Sequence, residues 1–123
     1  MQTDALKSRI LLVDDILQNL QLAGTILRNA GYAVMPATGG AEALESIQVQ
    51  LPDLVLLDLM MPGMDGLEVC TRLKANPQTK EIPVIFLTAS NEMEYLVKGF
   101  EAGAVDYITK PFKNDEVLVV VRN

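Results

Sequence analysis

Acidic residues follow two apolar stretches of the chain, at the point where each stretch ends. Asp14 and Asp15 follow the stretch at 9–13, and Asp58 follows an aliphatic run at 54–57. Large aliphatic residues without polar alternation are typical of strands buried on both faces of a parallel sheet. Because ligands in open α/β sheets bind at the carboxyl ends of the strands, the three carboxylates are candidates for chemistry.

Two more polar residues follow later apolar runs. Thr88 closes the run at 83–87, and Lys110 comes shortly after a weaker run at 104–108. If all these strands are parallel, their polar ends meet at one edge of the sheet. Two carboxylates about 4 Å apart repel by roughly 4 kcal/mol at an effective dielectric of ~20, so a cluster of three needs a cation or raised pKa values.

Lys110 and one Mg²⁺ would together cancel the charge of three carboxylates. Mg²⁺ prefers one or two carboxylates, several waters and a phosphate oxygen. Such a site suits phosphoryl transfer, in which positioning and charge neutralisation supply most of the catalysis. Carboxylates that form aspartyl-phosphates are an established class of nucleophile.

Each of these residues also has a purely structural interpretation. Asp14 or Asp15 could cap the first helix, a contribution of about 1 kcal/mol. Capping needs only one of the two, however, so the pair favours the acidic site. Asp58 could be a turn residue, Thr88 an ordinary strand residue, and Lys110 a solvated loop lysine.

Composition narrows the possible functions. The chain has 123 residues, half of them hydrophobic, which fits one domain with its own core. Its net charge of −6, with 10 basic residues and no basic run, argues against direct nucleic-acid binding. The chain contains no histidine, which excludes His-based zinc sites and Ser-His-Asp chemistry. Any metal is therefore expected to be a hard cation bound by oxygen atoms.

The sequence also suggests a location. The single cysteine, Cys70, cannot form an internal disulfide, and no stretch is long enough to span a membrane. The first residues lack the basic and apolar regions of a signal peptide. We therefore expect a cytoplasmic domain without membrane insertion.

Strand and helix patterns alternate along the whole chain. Residues 1–8 read as a polar lead-in, and 9–123 as one domain whose last helix, from Asn114, is cut short at Asn123. Strands are predicted at 9–13, 32–36, 54–57, 83–87 and 104–108, with a helix after each. Such alternation implies parallel strands joined by right-handed crossovers, with helices on both faces. The predicted fold class is a single doubly wound α/β domain with five strands and five helices.

Several residues mark the ends of these elements. Gly31 is placed to end the first helix, and Pro36 favours an edge position for the second strand. Asp65, followed three residues later by Glu68, is typical of a helix start. Asn91 and Glu94 repeat this spacing before the fourth helix.

The whole chain resembles a receiver domain of the two-component response regulators, and is similar to the chemotaxis response regulator. The matching segments are Leu12-Val13-Asp14-Asp15, the run from Leu56 to Gly66 that contains Asp58 and Met60-Met61-Pro62-Gly63, Leu87-Thr88-Ala89, and the run from Ala102 to Phe112. Four segments in this order at these spacings, spanning residues 9–122, are a specific signal. The resemblance implies the flavodoxin-like strand order 2-1-3-4-5.

The resemblance also implies roles at the site. Asp58 would accept a phosphoryl group from a phosphohistidine on a sensor histidine kinase or a histidine phosphotransfer protein. Asp15, Asp58 and the backbone carbonyl of Met60 would bind Mg²⁺, and Asp14 would help through a water molecule. Lys110 would pair with a phosphoryl oxygen. The domain would modify itself and lose the group again, without turnover of a free substrate.

In this family the signal leaves through a switch. The resemblance implies that the Thr88 hydroxyl turns to the phosphoryl group and that Tyr107 follows it inward or outward. This would change the face formed by the fourth helix, fifth strand and fifth helix. The Lys110-Pro111 peptide bond would be cis.

The last helix suggests what that face could contact. Residues 117–121 are apolar all the way round, although a surface helix normally keeps a polar side. If Val117, Val120 and Val121 face the sheet, Val119 points elsewhere. Two explanations remain open: a surface left uncovered by truncation, or a face that packs on a second copy or on a continuing helix.

Two other function classes compete with the phosphoacceptor hypothesis. A flavodoxin-like electron carrier would need a phosphate-binding loop after the first strand, where Asp14 and Asp15 would repel a flavin phosphate. An absorbance spectrum would test it directly. A phosphorylation-independent interaction module is the other alternative; such variants generally lack the acceptor or a metal-binding acid, and this chain has both.

Overall fold

The computed structural model describes residues 8–89 and 93–122, which form a five-stranded sheet flanked by helices. The strands are β1 (Arg9–Val13), β2 (Ala33–Ala37), β3 (Leu54–Asp58), β4 (Val84–Thr88) and β5 (Asp106–Thr109). The helices are α1 (Leu17–Asn29), α2 (Gly40–Val49), α3 (Gly66–Ala75), α4 (Met93–Glu101) and α5 (Asn114–Arg122).

All neighbouring strands are parallel, in the order β2-β1-β3-β4-β5. This confirms the predicted fold class and strand order. Pro36 lies in β2 at one edge of the sheet, as predicted, where its missing N–H costs no ladder hydrogen bond.

Helices cover both faces of the sheet. Within β1, Leu11 and Val13 pack into a cluster with α2, α3 and α4, whereas Ile10 and Leu12 pack into a second cluster with α1 and α5. This alternation follows from the two-residue period of a strand. Burial on both faces explains why β1, β3 and β4 are apolar almost throughout.

The carboxyl ends of the central strands lie level with one another. Asp58 at the end of β3 is in register with Leu87 of β4, and Thr88 is in register with Thr109 of β5. The parallel register therefore brings the polar residues that follow each strand to one edge of the sheet.

The start of α3 confirms one local prediction. Asp65 is the N-cap, and its side chain accepts a hydrogen bond from the Glu68 N–H at 2.9 Å. The Glu68 carboxylate pairs with Arg72 one turn further along. Behind this cap Gly66 lies directly against the backbone of Asp58 and Leu59, which leaves no space for a side chain.

Three predicted strands start later than the sequence suggested. β4 begins at Val84 instead of residue 83, and β2 and β5 begin late for a shared reason. Gly31 and Gly103 have φ values of 98° and 115°, and the residue after each donates its N–H back into the preceding helix. Tyr32 N–H bonds to the Leu27 carbonyl, and Ala104 N–H bonds to the Gly99 carbonyl. These residues thus complete the helix ends, and β2 and β5 begin at Ala33 and Asp106.

The other strand ends shift by one residue. β2, β3, β4 and β5 each continue to the residue after the predicted end, because the register pairs these residues with the neighbouring strands. The predicted Asn91 cap lies outside the described residues, as do positions 1–7 of the lead-in. In the described ranges, no helix combines the length and apolarity needed to cross a membrane.

Candidate functional site

Three carboxylates gather at the carboxyl edge of the sheet, as the sequence predicted. Asp14, Asp15 and Asp58 each place one oxygen within 4.8 Å of the others. Asp58 ends β3 and is 2 % exposed; Asp14 follows β1 and is 0 % exposed, whereas Asp15 faces solvent. The cluster therefore contains two buried acids and one accessible acid.

Lys110 is held between the two buried carboxylates. Its Nζ lies 3.1 Å from Asp14 Oδ2 and 3.2 Å from Asp58 Oδ1. The backbone helps to place it, since the Lys110 N–H donates to the Thr88 carbonyl at 2.9 Å. The interpretation of Lys110 as a solvated loop lysine is thus wrong. The Lys110-Pro111 peptide bond is cis, as the resemblance implied.

Asp14 is bound through both of its carboxylate oxygens. Oδ1 accepts the N–H of Ile16 at 2.9 Å, and Oδ2 accepts Nδ2 of Asn19 at 3.2 Å as well as Lys110 Nζ. Ile16 is the N-cap residue of α1, and its own side chain makes no capping hydrogen bond. Neither Asp14 nor Asp15 is therefore the N-cap residue, although Asp14 satisfies the backbone N–H of Ile16 at the start of the helix in addition to binding Lys110. Sequence reasoning missed Asn19, whose only signal was an amide one turn after the acidic pair.

The excess of negative charge shifts the protonation equilibria of the site. The pKa of Asp58 is raised to about 7. Burial is the largest cause and the charge of Asp14 adds to it, whereas Lys110 lowers the pKa and offsets part of the rise. Burial alone would lower the pKa of Lys110, but the charges of Asp58 and Asp14 outweigh it and the pKa is raised. The site is therefore short of positive charge when its carboxylates are ionised.

The donor set fits a hard divalent cation. Asp14, Asp15 and Asp58 offer oxygen atoms only, and their ionised charge exceeds that of Lys110 by two. Met60, two residues after Asp58, donates its N–H to Asp58 Oδ1 at 3.3 Å, and its side chain is partly exposed. The predicted use of the Met60 carbonyl as a ligand stays a prediction.

The two predicted switch residues lie on neighbouring strands. Thr88 is fully buried at the end of β4, and its hydroxyl donates to the Ala89 carbonyl at 3.1 Å. Tyr107, in β5, is half-buried and packs edge-on against Phe100 of α4, with ring centroids 6.2 Å apart. Tyr107 thus connects the edge strand to α4; the coupling between Thr88 and Tyr107 remains a prediction.

Known proteins are similar to this chain in sequence and in fold. Residues 10–122 match the family model described as the response regulator receiver domain. The chain is 44 % identical over 117 residues to the response regulator PleD of Caulobacter vibrioides, covering 95 % of this chain and 25 % of that protein. It is 44 % identical over 115 residues to the DNA-binding dual master transcriptional regulator RpaA of Synechocystis, covering 93 % and 47 %.

Among solved structures, the chemotaxis protein CheY4 of Vibrio cholerae superimposes with a TM-score of 0.89 at 31 % identity, covering 94 % of this chain and 97 % of that one. The chain spans between a quarter and a half of the two curated relatives, and nearly all of CheY4. Family, fold and acidic cluster agree: the chain belongs to the response regulator receiver domain family, the phosphoacceptor domains of two-component signalling.

Proposed function

We propose that Asp58 is the phosphoacceptor of this chain, and that the donor is a phosphohistidine of a sensor histidine kinase or a histidine phosphotransfer protein. The observation that carries the proposal is the Lys110 ammonium, which bridges buried Asp14 and Asp58 beside the accessible Asp15. A buried ion pair at a strand end contributes little to the stability of the fold. A carboxylate in this position, with a cation beside it, is suited to act as a nucleophile.

The reaction requires one bond to form and one to break. A carboxylate oxygen of Asp58 attacks the phosphorus of the donor, and the phosphorus–nitrogen bond breaks. The bonding pair returns to the imidazole ring of the donor. These 123 residues contain no histidine, so the donor imidazole lies outside them.

Lys110 has the electrostatic role in this scheme. Its ammonium lies 3.2 Å from Asp58 Oδ1, where a phosphoryl oxygen would come within hydrogen-bond reach. Asp14 keeps the ammonium at this position through its own contact at 3.1 Å. A charge that is already in place stabilises the transition state more than solvent does, because solvent molecules would have to reorient during the reaction.

Asp15, Asp58 and the Met60 carbonyl would hold Mg²⁺, with Asp14 contributing through a water molecule. When bound, Mg²⁺ neutralises negative charge on the transferring phosphoryl oxygens. The all-oxygen donor set and the charge excess at the site support this assignment. Deprotonated Asp58 is needed both for attack and for the metal, so Mg²⁺ should compete with the proton on Asp58.

The signal would leave through an output face that comprises α4, β5 and α5. Its exposed apolar side chains are Tyr95, Val97 and Phe100 of α4 and Val119 of α5, next to half-buried Tyr107. A groove of about 460 Å³ separates β5 from α5 and includes Tyr107 and Val119 in its walls. A change at Thr88 that moved Tyr107 would alter this groove, and a second copy of the chain is the partner we propose for it.

Phosphorylation with a small phosphodonor tests the acceptor directly. Incubation with phosphoramidate and Mg²⁺ should add one phosphoryl group by intact mass, and peptide mapping should place it on Asp58. Asp58→Asn should not be labelled at that position. Asp65→Asn is the matched control, since asparagine caps a helix as well as aspartate does, and this variant should be labelled like the wild type. Unchanged labelling of the Asp58→Asn variant would exclude the proposed acceptor.

A further inference from the structure

Both carboxylate oxygens of Asp14 accept hydrogen bonds from donors other than Lys110. The Ile16 N–H fixes Oδ1, and the Asn19 amide approaches Oδ2, so that each oxygen has a donor from the start of α1 or its first turn. Two donors on different oxygens fix the rotation of the carboxylate about its Cβ–Cγ bond. Lys110 Nζ then binds the same Oδ2 atom that Asn19 contacts.

Asn19 differs in kind from the other two donors. The Ile16 N–H is a backbone group and is present whatever the side chains are, whereas Lys110 has to be able to shift from Asp58 toward a phosphoryl oxygen. Asn19 is neutral, so it orients Asp14 without reducing the negative charge that attracts Lys110. A lysine or arginine at position 19 would compete with Lys110 for Asp14, and a carboxylate at position 19 would repel the carboxylate of Asp14.

We infer that Asn19 is a positioning residue for phosphoryl transfer: it holds Asp14, and Asp14 holds the Lys110 ammonium against Asp58. This inference rests on the proposed function of Asp58. The chain of contacts runs from Asn19 Nδ2 to Asp14 Oδ2 at 3.2 Å, from there to Lys110 Nζ at 3.1 Å, and on to Asp58 Oδ1 at 3.2 Å. Asn19 itself does not touch Asp58 in this scheme.

The competing explanation is that Asn19 only stabilises the start of α1. The N-cap of that helix, Ile16, has no side-chain hydrogen bond, and a link from Asn19 to Asp14 would tie down its first turn. The two explanations differ in what they change. A structural role affects the unfolding midpoint alone, whereas a positioning role slows phosphoryl transfer in molecules that are fully folded.

Phosphorylation rates of Asn19 variants distinguish these explanations. With saturating phosphoramidate and saturating Mg²⁺, Asn19→Ala should lower the maximal labelling rate of Asp58 roughly tenfold. This is the rate change that corresponds to losing the free energy of one hydrogen bond to a charged group. The concentration of phosphoramidate that gives half the maximal rate should change by less than about twofold. The matched control is Asn29→Ala, an exposed asparagine at the other end of the same helix, which should react like the wild type.

Two further substitutions and one metal-free measurement complete the test. Asn19→Gln retains an amide donor and should recover most of the rate, whereas Asn19→Asp, which has nearly the same shape but no donor, should be at least as slow as Asn19→Ala. This pair decides the question even if Asn19→Ala does not fold. In metal-free protein, amide NMR signals of Lys110 and Met60 should shift in Asn19→Ala and stay in place in Asn29→Ala.

Each result has a defined consequence. Equal maximal rates for the folded wild type, Asn19→Ala and Asn19→Asp would overturn the inference while leaving Asp58 as the acceptor. Absence of labelling in the wild type would overturn the proposed function, and the inference with it. A slow Asn19→Asp together with a restored Asn19→Gln would establish the positioning role.

Discussion

Replacing Asp58 by asparagine should make the metal-free domain more stable, by an amount that depends on pH. The pKa of Asp58 is raised from 3.8 to about 7 because the carboxyl is buried and lies beside Asp14. The folded state therefore holds the Asp58 proton more tightly than the unfolded chain does. Between about pH 4 and pH 7 the folded state binds more protons, so the contribution of Asp58 to stability falls as the pH rises through this window.

The size of the effect follows from the shift. A displacement of roughly three pKa units, at about 1.4 kcal/mol each, sets an upper limit of roughly 4 kcal/mol. Relaxation of Asp14 and Lys110 around the charged carboxyl reduces it, and we expect about 2 kcal/mol. The Asp58→Asn variant, which cannot titrate, should exceed the wild type by that amount at pH 8 and by almost nothing near pH 4.

Urea unfolding of both proteins between about pH 3 and pH 8, without Mg²⁺, measures this difference and includes the range in which acidic side chains titrate. Glu42→Gln is a control in which the stability change should have the opposite sign, because the pKa of Glu42 is lowered and that of Asp58 is raised. A hydrogen bond from the Thr38 N–H, assisted by the Thr38 hydroxyl, lowers the pKa of Glu42, so its contribution is present at neutral pH and is lost as the pH falls through that lowered pKa. A stability gain of Asp58→Asn that is constant with pH, or that grows toward pH 4, would refute the electrostatic reasoning.

Three further substitutions test other parts of the structure. Asp15→Asn should relieve repulsion and raise metal-free stability while impairing phosphorylation by phosphoramidate and Mg²⁺; lower stability with intact phosphorylation would make Asp15 a structural residue only. Gly66→Ala should lower the free energy of unfolding in urea by about 2 kcal/mol or more, because the new Cβ would collide with the Asp58 carbonyl oxygen; an unchanged midpoint would contradict the tight contact. Val119→Lys should weaken phosphorylation-sensitive self-association in sedimentation experiments without affecting Asp58 labelling; a wild type that stays the same monomer at all concentrations, phosphorylated or not, would refute a self-associating output face.

Much of the fold could be read from the order of apolar runs. A strand buried on both faces has no polar alternation, and β1, β3 and β4 showed this in the sequence because helices cover both sides of them. The helical period of α5 was also informative. The sequence predicted that Val119 points away if Val117 faces the sheet, and Val117 is buried whereas Val119 is 61 % exposed. Local chemistry placed the Asp65 cap correctly, because a cap involves only residues three apart.

The first residues of the strands were harder to predict, since they depend on hydrogen bonds that compete with one another. Ala104 and Tyr32 have residue types that suit a strand, yet each donates its N–H to the helix before it. A glycine with positive φ makes this possible, and propensity alone does not reveal which residue after the glycine begins the strand. The strand order itself came from resemblance to a family, because periodicity carries no information about which strands are neighbours.

The sequence by itself determined which side chains end the strands: Asp14, Asp15, Asp58 and Thr88, followed by Lys110. Parallel strands in register must bring such residues to one edge, so their grouping was predictable. Only the tertiary structure decided that Lys110 bridges Asp14 and Asp58, that burial raises the pKa of Asp58, and that Asn19 supports Asp14 from α1. Distances of about 3 Å and the loss of solvent around a charge arise from packing between distant segments, and for that reason no local pattern in the chain encodes them.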